Sequence, residues 1–306
     1  MSRAEDLESS VFADPLDLID HWGPEKIVLV SDRRSGMRGV LVIDNTSRGQ
    51  GKGGTRMSPT LTVSEVARLA RTMTDAAAGM IDLDLHGARV GIQGFGAVGR
   101  ATATRLVELG AGVVAVSTAT GSVCDPDGLD VAALAERARA LGDRCLDDHP
   151  GFCPEPMDLH SAPVDVLVPA AREDTVDATV ASTTTARLVI EGANLPTTPA
   201  AQKTLRERGV VVVPDFIANA GGIVAAAHST DARHSPFTVE PGHVFTMISE
   251  KLRANTAQVI TDSRTRGVTP RRAAMDLAQG RVLAAMRARG FRPTGSEADR
   301  QQRPAA

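Results

Sequence analysis

The chain has 306 residues, of which 42% are hydrophobic and 23% charged, a composition typical of soluble globular proteins with one large or two ordinary domains. The formal net charge is −3 and no run of lysine or arginine occurs, so we expect no nucleic-acid partner. The apolar runs are too short to span a membrane and the first residues form no apolar signal segment. We therefore expect no membrane partner and a cytoplasmic location.

The N-terminal part predicts a small α/β unit. Residues 27–33 and 38–45 have the apolar, β-branched pattern of two strands, with 34–37 as the turn of a hairpin. A glycine-rich loop follows, and a helix begins at the capping box Thr62-Val-Ser-Glu65 and ends near Gly79.

Lys52 stands between glycines in that loop and is one of only four lysines in the chain. Small neighbours would let a carboxylate approach its ammonium closely, and the same context also fits a solvated lysine in a flexible loop. The loop alone leaves both interpretations open.

The next stretch predicts a nucleotide site. Residues 89–93 read as a buried strand, Gly94-x-Gly96-x-x-Gly99 follows at once, and residues 97–109 read as an amphipathic helix. A strand that enters such a turn brings backbone N–H groups and a helix N-terminus against a pyrophosphate. We therefore predict a dinucleotide site at this turn.

Four further apolar strands, at residues 112–117, 164–168, 188–191 and 210–213, predict a parallel sheet covered on both faces, with a helix from Asp130 to Leu141 between the first two. Such sheets bind ligands outside the C-terminal ends of their strands. The candidate cofactor-binding residues are Gly94, Phe95, Gly96, Ala97, Val98, Gly99, Ser117, Thr118, Ala170, Ala171, Asn194 and Asn219.

The second strand of the nucleotide unit lacks an expected residue. A carboxylate about 20 residues beyond the glycines normally holds the ribose 2′-hydroxyl. Here Ser117-Thr118-Ala-Thr120 follows that strand, with no acid before Asp125 and no Arg or Lys to favour a 2′-phosphate. The choice between NAD and NADP stays open.

The loop around residues 145–153 raises a different possibility. Cys145, His149 and Cys153 recur at four-residue intervals, which would let their side chains converge on a metal. They match no usual zinc pattern and the segment contains Pro and Gly, so we expect a surface loop and no metal site. The odd number of cysteines also argues against a disulfide framework.

Residues 240–266 and 270–290 predict two long C-terminal helices, followed by a disordered tail. Arg271 and the later arginines of the second helix are expected to form a solvated face. We predict four parts: a substrate and dimerisation domain (1–84), a nucleotide domain (85–226), C-terminal helices that pack back toward the first domain (227–290) and a tail (291–306).

Several motifs in order along the chain resemble those of the glutamate/leucine/phenylalanine/valine dehydrogenase family. They are Lys52-Gly-Gly-Thr-Arg-Met-x-Pro59, Gln93-Gly-Phe-Gly-x-Val-Gly99, Pro126-Asp-Gly-Leu-Asp130, Glu191-Gly-Ala-Asn194 and Pro214-Asp-Phe-Ile-Ala-Asn-Ala-Gly-Gly222. The resemblance implies a Rossmann-type, doubly wound parallel sheet with a smaller α/β substrate domain. It also implies that Lys52 binds the substrate and could act as a base, and that Asn194 and Asn219 lie near the nicotinamide and its ribose.

The chain departs from the family pattern between Gly79 and Gly94, where the family carries its catalytic lysine and, later, an aspartate that moves protons. A substrate-domain segment on the order of 100 residues, judged from ordinary domain size, is absent. Asp75, Asp82, Asp84 or His86 would have to take over those proton transfers, although a solvated structural role is the ordinary one for each.

The resemblance implies an NAD(P)-dependent amino-acid dehydrogenase that deaminates an L-amino acid to a 2-oxo acid, or acts on a cyclic imine, as a homo-oligomer. The alternative is a catalytically impaired nucleotide-binding paralogue with a regulatory or partner-binding role. The glycine turn supports nucleotide binding under both hypotheses. They differ in whether the chain can catalyse the reaction without the missing lysine segment.

Overall fold

The computed structural model describes residues 26–32, 37–43, 83–154, 162–218, 220 and 241–289. The chain divides into two compact units, with boundaries after Gly53 and after Met275; residues 276–289 belong with the N-terminal unit. The four-part division expected from the sequence stays a prediction. No described helix has both the length and the apolar character needed to cross a bilayer.

The described N-terminal residues form an antiparallel hairpin. Strand β1 covers Lys26–Asp32 and strand β2 covers Met37–Ile43, with Lys26 opposite Ile43 and Asp32 opposite Met37. This confirms the predicted hairpin. The glycine-rich loop with Lys52 and the helix expected from Thr62 lie outside the described residues.

A six-stranded sheet lies at the centre of the larger unit, in the order β5-β4-β3-β6-β7-β8. Every neighbouring pair is parallel except β4 and β5. The strands are β3 (Arg89–Gln93), β4 (Gly112–Ser117), β5 (Ser122–Cys124), β6 (Val166–Pro169), β7 (Leu188–Ile190) and β8 (Val211–Val213). The predicted α/β class with a parallel sheet is confirmed.

Three of the described helices begin at a residue whose side chain caps the first turn. Asp130, Asp177 and Thr198 each accept a hydrogen bond from a backbone N–H of the first turn that follows, at 3.0, 2.9 and 3.2 Å. The helices are α1 (Ala97–Glu108), α2 (Val131–Leu141), α3 (Ala178–Thr183), α4 (Pro199–Glu207), α5 (Asp215–Ala218), α6 (Pro241–Arg266) and α7 (Pro270–Ala288), with a 3-10 helix at Gly142–Leu146.

The core forms because apolar strand residues are covered on both faces of the sheet. Ile92, Leu167 and Leu188 are fully buried, as is Leu106 of α1. Each such side chain contributes about 1.5–3 kcal/mol relative to an exposed position. At the N-terminal edge of the sheet, Arg89 donates from its backbone N and its guanidinium to Asp165, which fastens β3 to the start of β6.

Arg208, just after α4, connects two helices. Its guanidinium donates to the carbonyl oxygens of Ala181 at 2.5 Å and Thr184 at 2.7 Å, which belong to the last turn of α3. These carbonyls have no partner within a helix. The Arg208 side chain therefore acts as the C-terminal cap of a helix that precedes it in the chain.

Candidate functional site

The strand order reverses between β3 and β6, the point at which an open α/β sheet forms a ligand-binding crevice. From β3 the chain proceeds to β4 on one side of it and later returns to β6 on the other side. In open α/β sheets the space outside the C-terminal ends of two such strands is where ligands bind. The turn after β3 and the residues Ala170 and Ala171 after β6 border this crevice, and the Ala170 N–H donates to Gln93 O at 2.7 Å.

Gly94 makes the turn tight. Its φ of +86° lies in the left-handed region, and a Cβ there would stand 2.8 Å from the backbone N and Cα of Ala171. Its N–H donates to Ser117 O at 2.9 Å. The turn is thus held between the ends of β4 and β6, in a conformation that only glycine fits.

Gly99 is closely packed, whereas Gly96 faces open space. A Cβ on Gly99 would lie 1.9 Å from Gly94 O, so α1 packs directly on the turn. Gly96 is exposed, has no atom within 4 Å of the place of a Cβ, and is the N-cap of α1. The middle glycine therefore opens onto free space at a helix N-terminus, which is where an anion is stabilised.

The hydroxyl groups expected after β4 lie beside a carboxylate that the sequence did not indicate. Thr118 Oγ1 lies 3.1 Å from Thr120 Oγ1, whose one proton is within reach of two acceptors, Asp143 O at 2.9 Å and Asp147 Oδ1 at 3.2 Å. Arg144 Nε donates to Asp147 Oδ2 at 2.7 Å and thereby lowers the pKa of that carboxyl group. Asp147 comes 27 residues after Thr120, so no motif spacing indicates it.

The ends of β7 and β8 carry two buried carboxylates. Asp215 Oδ2 accepts from Leu195 N at 2.7 Å, and Asp215 Oδ1 accepts from Arg271 at 2.7 Å. Leu195 has a φ of +50° and directly follows Asn194. Asp215 therefore fixes the loop that presents Asn194. The expectation that Arg271 belongs to a solvated face is wrong, because its side chain is 22% exposed and reaches this carboxylate from α7.

Glu191 lies beside Asp215 and is almost fully buried. Its Oε2 accepts from the Asp215 N–H at 2.8 Å and lies 3.6 Å from Arg271. Burial raises the pKa of the Glu191 carboxyl group against the opposing attraction of Arg271. The Arg271 guanidinium also lies 5.2 Å from the centre of the Phe216 ring.

Most of the predicted cofactor-binding residues come together around the crevice. The loop after β7 packs against the end of β6 and α1, because a Cβ on Gly192 would stand 3.1 Å from Ala170 and 3.3 Å from Val98. Ala97 and Asn194 are exposed, whereas Phe95, Ser117 and Thr118 are buried. Lys52 and Asn219 lie outside the described residues.

Two of the four candidates for proton transfer, Asp84 and His86, lie away from the glycine turn. Asp84 accepts from His86 N at 2.9 Å, and the His86 ring lies where a Cβ on Gly110 would be, 2.6 Å from Cδ2. Both residues precede β3 and therefore lie toward the N-terminal edge of the sheet, away from the crevice. Asp75 and Asp82 are outside the described residues.

The cysteine segment has a structural role. Cys145 is fully buried within the 3-10 helix, so the expectation of a plain surface loop is wrong there, and Cys153 pairs with Ser122 beside the sheet. Burial raises the pKa of the Cys145 thiol, which favours its neutral form. Within the described part of the chain no three His, Cys, Asp or Glu side chains are grouped to hold a metal.

Residues 53–290 match the family described as glutamate/leucine/phenylalanine/valine dehydrogenase. Glutamate dehydrogenase A2 of Halobacterium salinarum is 43% identical over 167 residues, which are 54% of this chain and 39% of that protein. The NADP-specific glutamate dehydrogenase of Saccharolobus shibatae is 34% identical over 230 residues, which are 74% of this chain and 53% of that protein.

Among solved structures, a hetero-hexameric glutamate dehydrogenase from Thermus thermophilus in its leucine-bound form superposes with a TM-score of 0.67 at 32% identity. The match covers 79% of this chain and 56% of that one. The chain spans about half the length of the curated relatives that it matches.

Proposed function

The chain belongs to the glutamate/leucine/phenylalanine/valine dehydrogenase family, and from that premise we propose that it is an NAD(P)-dependent oxidoreductase. Its reaction is the oxidative deamination of an L-amino acid to a 2-oxo acid and ammonia, or the reverse. A cyclic imine is the other substrate that this chemistry allows. The nicotinamide cofactor, when bound, accepts the hydride from the substrate α-carbon.

The main observation behind the proposal is that each of the three glycines has a different structural role. Gly94 makes the tight turn against Ala171, Gly99 lets α1 approach the turn, and Gly96 alone faces open space. These are the three roles that a dinucleotide-binding turn requires, the middle one being close backbone approach to the pyrophosphate.

The remaining cofactor contacts are proposed from the positions of the residues that border the crevice. The end of β4, with Ser117 and Thr118, faces the adenosine side, and Ala170 and Ala171 line the floor beside the turn. Asn194 and Asn219 are proposed to contact the nicotinamide and its ribose. The loop with Asn194 is held by Asp215, so this contact would be positioned before the cofactor arrives.

Lys52 is proposed to hold the substrate and to serve as the base. Deamination needs a proton acceptor beside the α-carbon and a group that guides water to the imine. A lysine among glycines can be desolvated by the substrate, which would lower its pKa toward the working range. With only four lysines in the chain, few other residues can supply this chemistry.

Nucleotide binding is the first test, by titration calorimetry with NADH and NADPH on the full chain. Gly96→Val should fold normally and lose nucleotide binding at least tenfold, because its side chain enters the space proposed for the pyrophosphate. Gly112→Val is the matched control, since it has an equally open site at the other edge of the sheet. Equal affinities of these two variants would contradict the proposed site.

Turnover is the second test, followed by nicotinamide absorbance over a panel of L-amino acids, 2-oxo acids with ammonia, and cyclic imines. Lys52→Ala should abolish activity on every accepted substrate and leave the affinity for NADH unchanged, because the lysine acts on the substrate. Unchanged rates would remove Lys52 from the site. Nucleotide binding without turnover on any substrate would contradict the oxidoreductase proposal.

We also propose that the chain forms a homo-oligomer in the cytoplasm. The Thermus thermophilus relative is described as a hetero-hexamer, which supports assembly as a property of related proteins. Light scattering coupled to gel filtration tests this directly, and a mass of 32.0 kDa at micromolar concentration would contradict it.

A further inference from the structure

The end of β4 is where a dinucleotide fold distinguishes its two cofactors. A carboxylate there accepts hydrogen bonds from the adenosine ribose of NAD, and a nearby arginine accommodates the 2′-phosphate of NADP. In this chain the residues that directly follow β4 offer only hydroxyl groups, and Thr118 is buried. A charged group that selects between the two cofactors would therefore have to come from another part of the fold.

Thr120 brings such a group to the strand end. Its hydroxyl is placed to donate to Asp143 O at 2.9 Å and to Asp147 Oδ1 at 3.2 Å, both at the 3-10 helix after α2. Thr118 Oγ1 lies 3.1 Å from the same hydroxyl. A chain of contacts thus runs from the end of β4 to the Asp147 carboxylate.

The Asp147 carboxylate can accept further hydrogen bonds. Thr120 contacts one oxygen and Arg144 contacts the other, whereas an ionised carboxylate has about four lone-pair positions. Its side chain is 24% exposed and contacts Thr120, two residues beyond Thr118 at the end of β4, so a ligand bound at that strand end would meet it. A ribose hydroxyl pair would meet an acceptor that is already oriented.

The same group disfavours a 2′-phosphate. The hydrogen bond from Arg144 lowers the pKa of the Asp147 carboxyl group and so favours its charged form. A phosphate carries roughly 1.5 to 2 negative charges at neutral pH. Its approach would bring like charges together while Arg144, the nearest cation to Asp147, is already bound to that carboxylate.

We propose that Asp147 is the specificity-determining residue of this site: it accepts the adenosine ribose hydroxyls and repels a 2′-phosphate, so the protein prefers NAD to NADP. The inference rests on the proposed nucleotide function and assigns its cofactor.

The test is titration calorimetry with NADH and NADPH on the full chain and on Asp147→Asn. The unaltered chain should bind NADH at least about tenfold more tightly than NADPH, since a hydrogen bond to a charged group and a like-charge contact both contribute to the difference. Asp147→Asn should weaken NADH and strengthen NADPH, so that the ratio of the two affinities falls roughly tenfold or more.

Asp148→Asn is the matched control. It removes the adjacent carboxylate, which is 86% exposed and lies 3.7 Å from Arg137, and it should leave the ratio unchanged. The double variant Asp147→Asn/Arg144→Ala should lose the gain for NADPH, because the freed guanidinium would provide it. A purely structural role of Asp147 would weaken both cofactors equally.

Three results are distinguishable. Tighter binding of NADPH than of NADH by the unaltered chain, or an unchanged ratio in Asp147→Asn, overturns the assignment of Asp147 while the nucleotide site stands. Absence of binding by either cofactor to the unaltered, folded chain overturns the proposed function itself, and this inference with it.

Discussion

The two sides of the crevice use the same residue types for different purposes. On the β4 side, Asp147 is partly exposed and paired with Arg144 at the surface; on the β7/β8 side, Asp215 and Glu191 are buried with Arg271. Water reaches the first carboxylate and is excluded from the other two. A buried carboxylate needs partners inside the protein, whereas a partly exposed one stays accessible to a ligand from solvent.

The difference also explains the opposite pKa directions. A hydrogen bond from Arg144 lowers the pKa of Asp147, whereas desolvation raises the pKa of Glu191 despite its nearness to Arg271. An attractive cation is present in both places. The burial of Glu191 outweighs it, because the cost of desolvating a charge exceeds the attraction at 3.6 Å.

The largest effect should come from breaking the buried side. Asp215→Ala leaves Arg271 and the N–H groups of Leu195 and Phe216 without this acceptor. We expect the free energy of unfolding to fall by about 3–5 kcal/mol, as for other broken buried ion pairs. Urea unfolding followed by circular dichroism measures it.

The exposed ion pair of Asp148 with Arg137, on the β4 side, gives the control for that loss. Asp148→Asn should change the free energy of unfolding by less than about 0.5 kcal/mol, because exposed ion pairs contribute little. A loss below about 1 kcal/mol for Asp215→Ala would mean that the two sides do not differ in the way described.

The glycine turn between the two sides should respond next. Gly99→Ala places a Cβ 1.9 Å from Gly94 O, and we expect it to destabilise the protein by about 1–3 kcal/mol through overpacking. Nucleotide affinity should fall with it, because the turn must shift. Thermal unfolding and NADH titration check both effects.

Gly280→Ala is its matched control, since Gly280 lies inside α7 with no atom within 4 Å of the place of a Cβ. Alanine there should stabilise the protein by up to about 1 kcal/mol, the usual advantage of alanine in a helix. Both substitutions replace glycine with alanine, and they should change the free energy of unfolding in opposite directions. The same sign for both would argue against close packing of α1 on the turn.

The smallest change in stability should come from Glu191→Gln, and it should depend on pH. The folded protein holds the Glu191 proton more tightly than the unfolded chain, so stability falls as pH rises from an ordinary glutamate pKa through the raised pKa. The variant lacks this loss and should gain stability relative to the unaltered chain as pH rises. Urea midpoints measured across pH 4 to 9, at roughly unit intervals, test the trend; a constant difference would contradict the raised pKa.

The sequence revealed those parts of the fold whose signals are local. Val90 and Ile92 before Gly94, and the capping side chain of Asp130, sufficed to place β3, α1 and α2, because strand burial and helix caps depend on near neighbours. The three-residue strand β5 was not predicted, since so short an antiparallel segment leaves no periodicity to detect.

The sequence predicted the glycine turn of the candidate site. It did not predict the charged contacts on either side of that turn. Asp147 reaches Thr120 only because α2 and the 3-10 helix fold back, and Arg271 reaches Asp215 across 56 residues. Both contacts depend on tertiary packing. Amphipathic spacing alone therefore assigned Arg271 to the solvent, although its helix turns that side chain toward a buried acid.

The link between Arg208 and α3 implies a unit of local unfolding. A six-residue helix is too short to persist alone, and its last carbonyls depend on a guanidinium from beyond α4. Opening of α4 would withdraw that cap, so the two helices should open together. Their backbone amides would then exchange with solvent at a common rate, as one cooperative segment at the edge of the sheet.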